Sequence, residues 1–446
     1  MSALARIWVG AGAYAIVLFA LGMNRYQTYH SGADLGLFTQ SIASAFHGFS
    51  NTIEGGSHFR VHFSPILYLC APLLLATRSP LALIAIAAIA GALAGPPLFL
   101  FARRHMPEGL ALGVAATGLL YPPLSGVIFA DFHENVFAPA LTLWLIWAVD
   151  ARRFRLAALF LVLTLCIKED QAPILACAAL FAFVYFARRH ERTGTRFAGA
   201  ALVLSLATFV AFFAIVRPLA GATEAWSPLH FYAWSNTADT GSTPWYSIGR
   251  PAYFLEALVP LAFVCLLSPL FVLALPGFAE CLFSHDSVTY TMGQHYAAPW
   301  IGYVLAAFAL GVARLYARRS NLAVLALRTA IVLCVANLAF ASPTHWGHYL
   351  GARTAHDRLV DRELAMLPPA LDVGTHDELF AHLGFDPNAS LGLGREPEAV
   401  LIDRNDRTSY WVERLGPILE QDVADGRYRL VRDVDGVERY ERVEAP

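Results

Sequence analysis

The residues of this chain that could do chemistry lie mainly in four short polar groups set between apolar stretches. Ionisable side chains are costly at membrane depth, so their presence there indicates function. The groups are Asp34 in the run Gly-Ala-Asp-Leu-Gly-Leu-Phe-Thr-Gln, His58-Phe-Arg-Val-His-Phe-Ser-Pro, Asp131-Phe-His-Glu-Asn and Lys168-Glu-Asp-Gln.

The first two groups could move protons or bind anions. Asp34 precedes a predicted amphipathic helix that begins at Leu35. Its carboxylate could act as a general base, or it could simply cap the helix N-terminus. His58 and His62 are four residues apart and would share one face of a helix. Together with Arg60 they suit phosphate or metal binding, and the alternative is that they are ordinary interfacial polar residues.

The other groups carry carboxylates beside imidazole or ammonium groups. Asp131, His133 and Glu134 could bind a divalent cation such as Mg or Mn, or could form an ordinary short loop. Lys168 and Glu169 have no turn residue near them, so either Lys168 pairs with Glu169 or with Asp170, or these charges line a wet cavity. A weaker group, also predicted to contact substrate, contains Gln294 and Tyr296.

Composition narrows the class of protein. Hydrophobic residues make up 57% of the 446 residues and charged residues 15%, against about 25% in soluble proteins. The net charge of −2 gives no basic patch for nucleic acid. Because P-loop, GxGxxG, GxSxG and HExxH motifs are absent from the sequence, an ATP-driven pump is disfavoured. The six cysteines lie in apolar stretches, which predicts buried thiols.

The apolar stretches predict an all-α polytopic membrane protein. A spanning helix needs about 20 mostly apolar residues. About eleven spans are predicted, at 7–23, 80–102, 109–129, 136–150, 156–167, 171–187, 197–216, 252–266, 269–283, 298–316 and 321–342. The apolar segment 64–76 is short and contains two prolines, which favours an interfacial or re-entrant helix.

Orientation follows from the basic clusters near residues 103, 152, 188 and 318. With a cytoplasmic N-terminus in the plasma (inner) membrane, all of them fall on the cytoplasmic side. The polar groups and the C-terminal domain are then extracytoplasmic. The loops on that side include 24–63 and 217–251.

The composition changes after Pro343, which predicts two domains: a transmembrane domain over 1–342 and a small soluble α/β domain over 343–446. In the second, helices are predicted at 354–367 and 410–423, and a strand at 399–402. Residues 428–434 and 437–443 predict a β-hairpin, because Asp435-Gly436 suits a type I′ turn. His376 and Asp377 are this domain's own candidates for chemistry.

The four groups, in this order, resemble the membrane protein family called domain of unknown function 2079, over most of residues 1–342. That family is placed in the GT-C superfamily of polytopic glycosyltransferases. The resemblance implies a GT-C-like fold with membrane-surface helices in the first outer loop. It also implies a polyprenyl-phosphate-linked sugar donor and a first-loop acid, here Asp34. Asp34 is followed by Leu35 rather than by a second acid, unlike better-known GT-C branches.

We therefore expect a glycosyltransferase that moves a sugar from a polyprenyl-phosphate donor to a glycan, lipid or protein acceptor, with inversion at the anomeric carbon. Asp34 would be the general base, and His58, Arg60, His62 and Lys168 would hold the lipid phosphate. Asp131, His133 and Glu134 would bind a metal or orient the acceptor. The alternatives are a transporter or lipid flippase without glycosyl transfer, and a non-catalytic scaffold.

Overall fold

The computed structural model describes residues 1–222, 246–341, 346–368, 371–406 and 409–443. The predicted domain boundary between residues 342 and 343, and most of the predicted loop 217–251, lie outside the described residues. The helices are α1 (Ala3–Gln27), α2 (Ala33–Ala43), α3 (Ala71–Thr77), α4 (Leu81–Ala92), α5 (Gly95–Ala102), α6 (Glu108–Leu119), α7 (Pro122–Phe129), α8 (Ala138–Asp150), α9 (Phe154–Leu165), α10 (Gln171–Arg188), α11 (Arg192–Ala211), α12 (Arg217–Leu219), α13 (Gly249–Leu258), α14 (Leu275–Phe283), α15 (Ala298–Arg318), α16 (Ser320–Ala336), α17 (Trp346–Leu350), α18 (Ala355–Ala365), α19 (Asp377–His382) and α20 (Tyr410–Ala424). The strands are β1 (Ser50–Asn51), β2 (Gly56–Ser57), β3 (Val373–Thr375), β4 (Ser390–Leu391), β5 (Ala399–Asp403), β6 (Tyr428–Val434) and β7 (Val437–Arg442).

Six helical stretches in the described residues are long and apolar enough to cross a membrane. They are Ala3–Gln27, Leu81–Ala102, Gln171–Arg188, Arg192–Leu219, His295–Arg318 and Ser320–Phe340. A seventh is added if α6 and α7, which meet at a bend of 40°, form one span. The chain is therefore an integral membrane protein by length and composition.

The predicted number of about eleven spans is not confirmed. The apolar stretch predicted as one span over 156–167 forms α9, which has 12 residues. Residues 252–267 form α13 and two 3-10 turns, Val259–Leu261 and Val264–Leu267, instead of one long helix. Hydropathy detects apolar length, but the helices that the chain forms there are shorter than about 17 residues, the lower limit for a span.

The chain forms two compact units. One, called here the helical unit, contains Met1–Leu18, His62–Leu67 and Ile86–Thr344. The other, called here the loop–domain unit, contains Phe19–Val61, Tyr68–Ala85 and His345–Pro446. The first loop therefore belongs with the C-terminal domain, although the two are far apart in sequence.

Close packing joins the first loop to the C-terminal domain within the loop–domain unit. Helix α2 lies on α19, and a Cβ at Gly36 would approach the Phe380 ring to 2.5 Å, so only glycine fits. The Gln40 side chain donates to the carbonyl oxygens of Asp386 at 2.7 Å and Ala389 at 2.9 Å. Tyr29 enters the core of the C-terminal domain. These contacts hold the helix that carries Asp34.

The C-terminal domain is a mixed sheet in the order β4-β3-β5-β7-β6. Strand β3 pairs parallel with β4 and β5, and the pairs β5–β7 and β6–β7 are antiparallel. Successive side chains of a strand face opposite sides of the sheet. Val400 and Ile402 accordingly pack in the core that contains Leu415 of α20, while Leu401 packs in the core that contains Val360 of α18.

The predicted elements of this domain are confirmed. Helix α18 starts after Thr354, which forms a capping box with Asp357. Asp435 and Gly436 both have positive φ, at 50° and 79°, as a type I′ turn requires. Strands β3 and β4 were not predicted, because runs of two or three residues carry no measurable periodicity.

Candidate functional site

A group of buried and half-buried polar side chains gathers at helix ends within the helical unit, from five separate segments. It is called here the polar cluster, and it contains His62, His133, Glu134, Lys168, Glu169, Asp170, Glu280 and His295. His62 precedes a 3-10 helix, Lys168 lies between α9 and α10, and His295 begins the stretch that continues as α15. Segments at helix ends carry backbone groups that also need partners, so polar side chains are favoured there.

Glu169 joins two of these segments. Its carboxylate accepts a hydrogen bond from His62 Nδ1 at 2.8 Å and one from the backbone N–H of Phe63 at 2.8 Å. A backbone bond from the Ile66 N–H to the Cys166 carbonyl, at 2.8 Å, lies beside it. Burial opposes ionisation, but His62 and Lys168 outweigh it and lower the pKa of Glu169 to about 2. Glu169 is therefore a fully ionised positioning group for His62.

Glu134 and Lys168 form the centre of the polar cluster. Glu134 is completely buried, with Oε1 3.8 Å from Lys168 Nζ and Oε2 3.1 Å from His133 Nδ1. Neither of its oxygens has a hydrogen-bond partner among the described residues. Burial disfavours the Lys168 ammonium, but Glu134, Asp170 and Glu169 outweigh that and raise its pKa above the usual range. Lys168 is thus a buried cation.

Two imidazoles close one side of the polar cluster. The rings of His133 and His295 stack with centroids 3.6 Å apart, and Tyr296 tilts against His295 at 4.1 Å. This approach depends on a glycine contact, because a Cβ at Gly126 in α7 would lie 2.8 Å from the Cα of Gly293. Gly293 itself has φ of +97°, a conformation that glycine adopts without strain.

Glu280 is a member of the polar cluster that sequence reasoning missed. It lies on α14 and its carboxyl group hydrogen-bonds that of Asp170. Burial is the main cause that raises the pKa of Asp170 to about 6, with Lys168 opposing it. One carboxyl of such a pair must carry a proton to donate. The signal was present in the sequence, because Glu280 is an isolated acid in a predicted span.

Three predicted site residues belong to the loop–domain unit instead. Asp34 lies in the first turn of α2, whose N-cap is Gly32, so Asp34 is not the cap. His58 is fully buried, with Nδ1 3.0 Å from both carboxylate oxygens of Glu54. Residues 58–60 form a single 3-10 turn, so His58 and His62 do not share a helix face. Arg60 donates to the carbonyl of Gly55 at 3.1 Å.

The remaining predicted residues lie beside the polar cluster. Tyr296 is close enough to Lys168 to influence its charge. Asp131 has φ of +61°, which turns the chain between α7 and the segment that carries Glu134. The backbone carbonyl of Gln294 accepts from the N–H of Ala297 at 3.4 Å.

Metal-ligand atoms converge elsewhere. Among the described residues, one group of His, Cys, Asp or Glu side chains has its possible metal-ligand atoms all within 4.8 Å of one another. It consists of His376, Glu378 and Asp406, in the C-terminal domain. These three residues could hold a metal ion. Asp131, His133 and Glu134, which were predicted to bind a divalent ion, do not form such a group in the described residues.

The fold and the polar cluster define a polytopic membrane protein with charged groups buried at helix ends. The fold is similar to that of ArnT from Cupriavidus metallidurans bound to undecaprenyl phosphate, with a TM-score of 0.62, 11% identity, and 98% of each chain covered. The apo structure of that protein gives a TM-score of 0.60 at 11% identity, with 99% of each chain covered. An oligosaccharyltransferase from Archaeoglobus fulgidus, in complex with Zn and sulfate, gives a TM-score of 0.44 at 14% identity, with 99% of this chain and 73% of that chain covered.

The sequence matches the family described as "Predicted membrane protein (DUF2079)" over residues 25–350. The chain belongs to this family, and its structural neighbours are GT-C glycosyltransferases. No curated protein has a significantly similar sequence.

Proposed function

We propose that this protein is an inverting glycosyltransferase that transfers a sugar from a polyprenyl-phosphate donor to an acceptor hydroxyl on the extracytoplasmic face of the membrane. The observation that carries the proposal is the polar cluster, since a buried ammonium, imidazoles and ionised carboxylates meet at helix ends of an ArnT-like fold. Similarity to a structure that binds undecaprenyl phosphate supports the donor class. The acceptor is a glycan, a lipid or a protein.

In the proposed reaction, Asp34 takes the proton of the acceptor hydroxyl as that oxygen attacks the anomeric carbon. The bond from this carbon to the phosphate oxygen breaks, and its electron pair leaves with the polyprenyl phosphate. Positive charge near the leaving phosphate lowers the barrier. Arg60 and His62 are our candidates for contact with the phosphate, and the buried Lys168 ammonium adds positive charge nearby without contacting it. Buried against Glu54, His58 is assigned instead to holding the loop.

The contacts of His62 support its proposed role as a hydrogen-bond donor to the lipid phosphate. Its Nδ1–H donates to Glu169, which sets the orientation of the imidazole ring. The imidazole is partly exposed, with 23% of its side chain accessible, whereas Glu169 is buried. Glu169 thus positions His62, the more accessible side chain of the two, for contact with the leaving phosphate in the proposed reaction.

The test is an assay of the full chain in lipid nanodiscs with undecaprenyl-phosphate glucose, mannose and galactose. Asp34→Asn removes the proton acceptor and keeps the shape, so turnover should fall by about 10²–10⁴-fold. Asp425→Asn, an exposed residue of the same unit, is the matched control and should keep full turnover. Near-normal turnover in Asp34→Asn would remove the general-base role.

A transporter or flippase is the second candidate, and the Asp170–Glu280 pair favours it, because a carboxyl pair that shares a proton could couple transport to proton movement. Proteoliposomes, which enclose a compartment, distinguish the two functions. Proton-dependent uptake of lipid-linked sugar without glycosyl transfer would support the transporter and contradict the enzyme.

A further inference from the structure

The polar cluster contains buried acceptor atoms that the described protein atoms leave without hydrogen bonds. They are both carboxylate oxygens of Glu134 and the Oδ1 atom of Asn135, and Nδ1 of His295 is in the same state. All three side chains are more than nine-tenths buried. A buried acceptor without a partner costs about 1–3 kcal/mol, and more when it is charged, so such atoms are rare in folded proteins.

The distance between Glu134 and Lys168 indicates which chemical group could form hydrogen bonds to both side chains. Nζ and Oε1 are 3.8 Å apart, which is beyond hydrogen-bond distance. An oxygen about 2.8 Å from each atom would bridge them. Such an oxygen must accept from the ammonium and donate to the carboxylate. A hydroxyl group does both, whereas a phosphate oxygen near neutral pH only accepts.

Charge excludes two other ligand classes at this position. A phosphate placed against Glu134 would meet an unscreened buried carboxylate, and like charges repel strongly there. A metal ion ligated by Glu134 would lie beside the Lys168 ammonium, which its neighbours keep protonated. A neutral ligand with several hydroxyl groups meets neither penalty.

The stacked imidazoles supply a flat surface beside the same carboxylate. His133 contacts Glu134 Oε2 at 3.1 Å and stacks on His295, whose unpartnered Nδ1 can bind one more polar group. Flat rings next to paired hydrogen-bonding groups suit a sugar, which presents hydroxyl groups at its edge and C–H groups on its faces.

We infer that one hydroxyl group of a sugar ring bridges Glu134 and Lys168, with His133 and His295 against that ring. The inference deepens the proposed function, on which it rests, by assigning a sugar-binding subsite. The sugar is either the one carried by the polyprenyl-phosphate donor or part of the acceptor. In both cases Glu134 contacts the sugar and not the phosphate.

The experiment measures equilibrium binding to the purified full chain in nanodiscs. The probes are undecaprenyl phosphate, the same lipid phosphate carrying glucose, mannose or galactose, and the corresponding methyl glycosides. Glu134→Gln is compared with the wild type and with Glu108→Gln, an exposed glutamate of the same unit. The double variant Glu134→Gln/Lys168→Gln removes both charges together and guards against misfolding of the single variant.

The expected result is that the wild type binds at least one phosphosugar more tightly than the bare lipid phosphate. Glu134→Gln should weaken that binding about 10- to 100-fold, the effect of losing a charged hydrogen bond, and leave the bare lipid phosphate unchanged. Loss confined to the methyl glycosides would assign the subsite to the acceptor. Glu108→Gln should behave as the wild type.

Other outcomes would overturn the inference. Equal loss for bare and sugar-bearing lipid would place Glu134 at the phosphate, and Mn²⁺ binding abolished by Glu134→Gln would make it a metal ligand. Unchanged sugar binding in both variants would remove the subsite. If the wild type binds no phosphosugar, the proposed donor is wrong, and the methyl glycosides alone decide the subsite.

Discussion

Two groups of acids and imidazoles lie in this chain, and they differ in how fully their atoms are bonded. In the C-terminal domain, His376 Nδ1 bonds Glu378 at 2.9 Å and its Nε2 accepts from the Asp403 N–H at 3.3 Å. Asp377 accepts from the Ser409 hydroxyl at 2.6 Å. In the polar cluster of the helical unit, by contrast, the oxygens of Glu134 have no hydrogen-bond partner among the described residues.

This difference indicates that the group in the C-terminal domain is a structural network, whereas the polar cluster suits ligand binding. Residues after the carboxyl ends of β3 and β5 lie where ligands bind in many α/β sheets. Here, however, His376 is already bonded to Glu378 and to the Asp403 N–H, and Asp377 is bonded to Ser409. These hydrogen bonds hold α19 and α20 in place. A metal at His376 would have to displace one of its two bonds. The polar cluster can accept a ligand without breaking a hydrogen bond of Glu134.

The largest expected effect contrasts two buried glutamates of the polar cluster. Glu169→Gln removes the charge that accepts from His62 and Phe63 N–H, and each charged hydrogen bond contributes about 1.5–3 kcal/mol. The double variant Glu134→Gln/Lys168→Gln removes a carboxylate without hydrogen bonds among the described residues together with the ammonium 3.8 Å from it, so neither charge is left without the other and the cost should be clearly smaller. Thermal unfolding in detergent measures both. A larger loss for the double variant would break the comparison.

The same pair makes an acid-stability prediction. The pKa of Glu169 is lowered from 4.5 to about 2, so its stabilising contribution is present above pH 4.5 and is lost as the pH falls toward 2. The wild type should lose melting temperature over this window more steeply than Glu169→Gln. Parallel curves for the two proteins would show that Glu169 is not the group responsible.

A somewhat smaller effect tests how tightly the loop–domain unit holds the helix of Asp34. Gly36→Ala places a Cβ 2.5 Å from the Phe380 ring and 2.7 Å from the Phe380 carbonyl oxygen. Overpacking of this kind costs about 1–3 kcal/mol. Gly347→Ala, which meets nothing within 4 Å, is the control and should stay close to wild type. Equal melting temperatures for the two variants would contradict the packing described here.

The bonded network of the C-terminal domain should respond modestly to loss of one donor. Ser409 caps α20 by accepting from the Val412 N–H, and its hydroxyl donates to Asp377. Ser409→Ala should therefore lower the free energy of unfolding by about 1 kcal/mol. Thermal unfolding of the full chain measures it. Ser409→Thr keeps the hydroxyl and should recover most of the loss.

The smallest expected effect is a pH dependence at His356. Burial disfavours its charged form, but the carboxylates of Asp403 and Asp435 outweigh burial and raise its pKa above 6.5. Its contribution is then complete below pH 6.5 and is lost as the pH rises through the higher pKa of the folded state. His356→Gln should be less stable than wild type at pH 5.5, with a difference that narrows by pH 8.5.

Much of the local structure could be predicted from the sequence. Apolar length predicted the spans at Ala3–Gln27 and His295–Arg318, and Asp435-Gly436 predicted the hairpin. Helix α2 was predicted to within two residues of its start, although its N-cap is Gly32. The polar groups at His62, Glu134, Lys168 and Glu169 were predicted as site residues because charge is costly beside apolar runs. Glu280 was not predicted, because it is a single acid within an apolar stretch and belongs to no group of charges in the sequence.

The sequence by itself determined that the chain is a membrane protein with charged groups at helix ends and an α/β domain after the last span. Those features depend on composition and on the spacing of apolar residues. This spacing is two residues in a strand and three to four in a helix, so a short stretch of sequence reveals it. The tertiary structure alone decided that His62 bonds Glu169, that Glu134 lies 3.8 Å from Lys168, and that α2 packs on Phe380. Each of these pairs joins residues at least 34 positions apart. Only packing of the whole chain decides which distant groups bond each other and which, like the oxygens of Glu134, have no hydrogen-bond partner in the part of the chain that the structure describes.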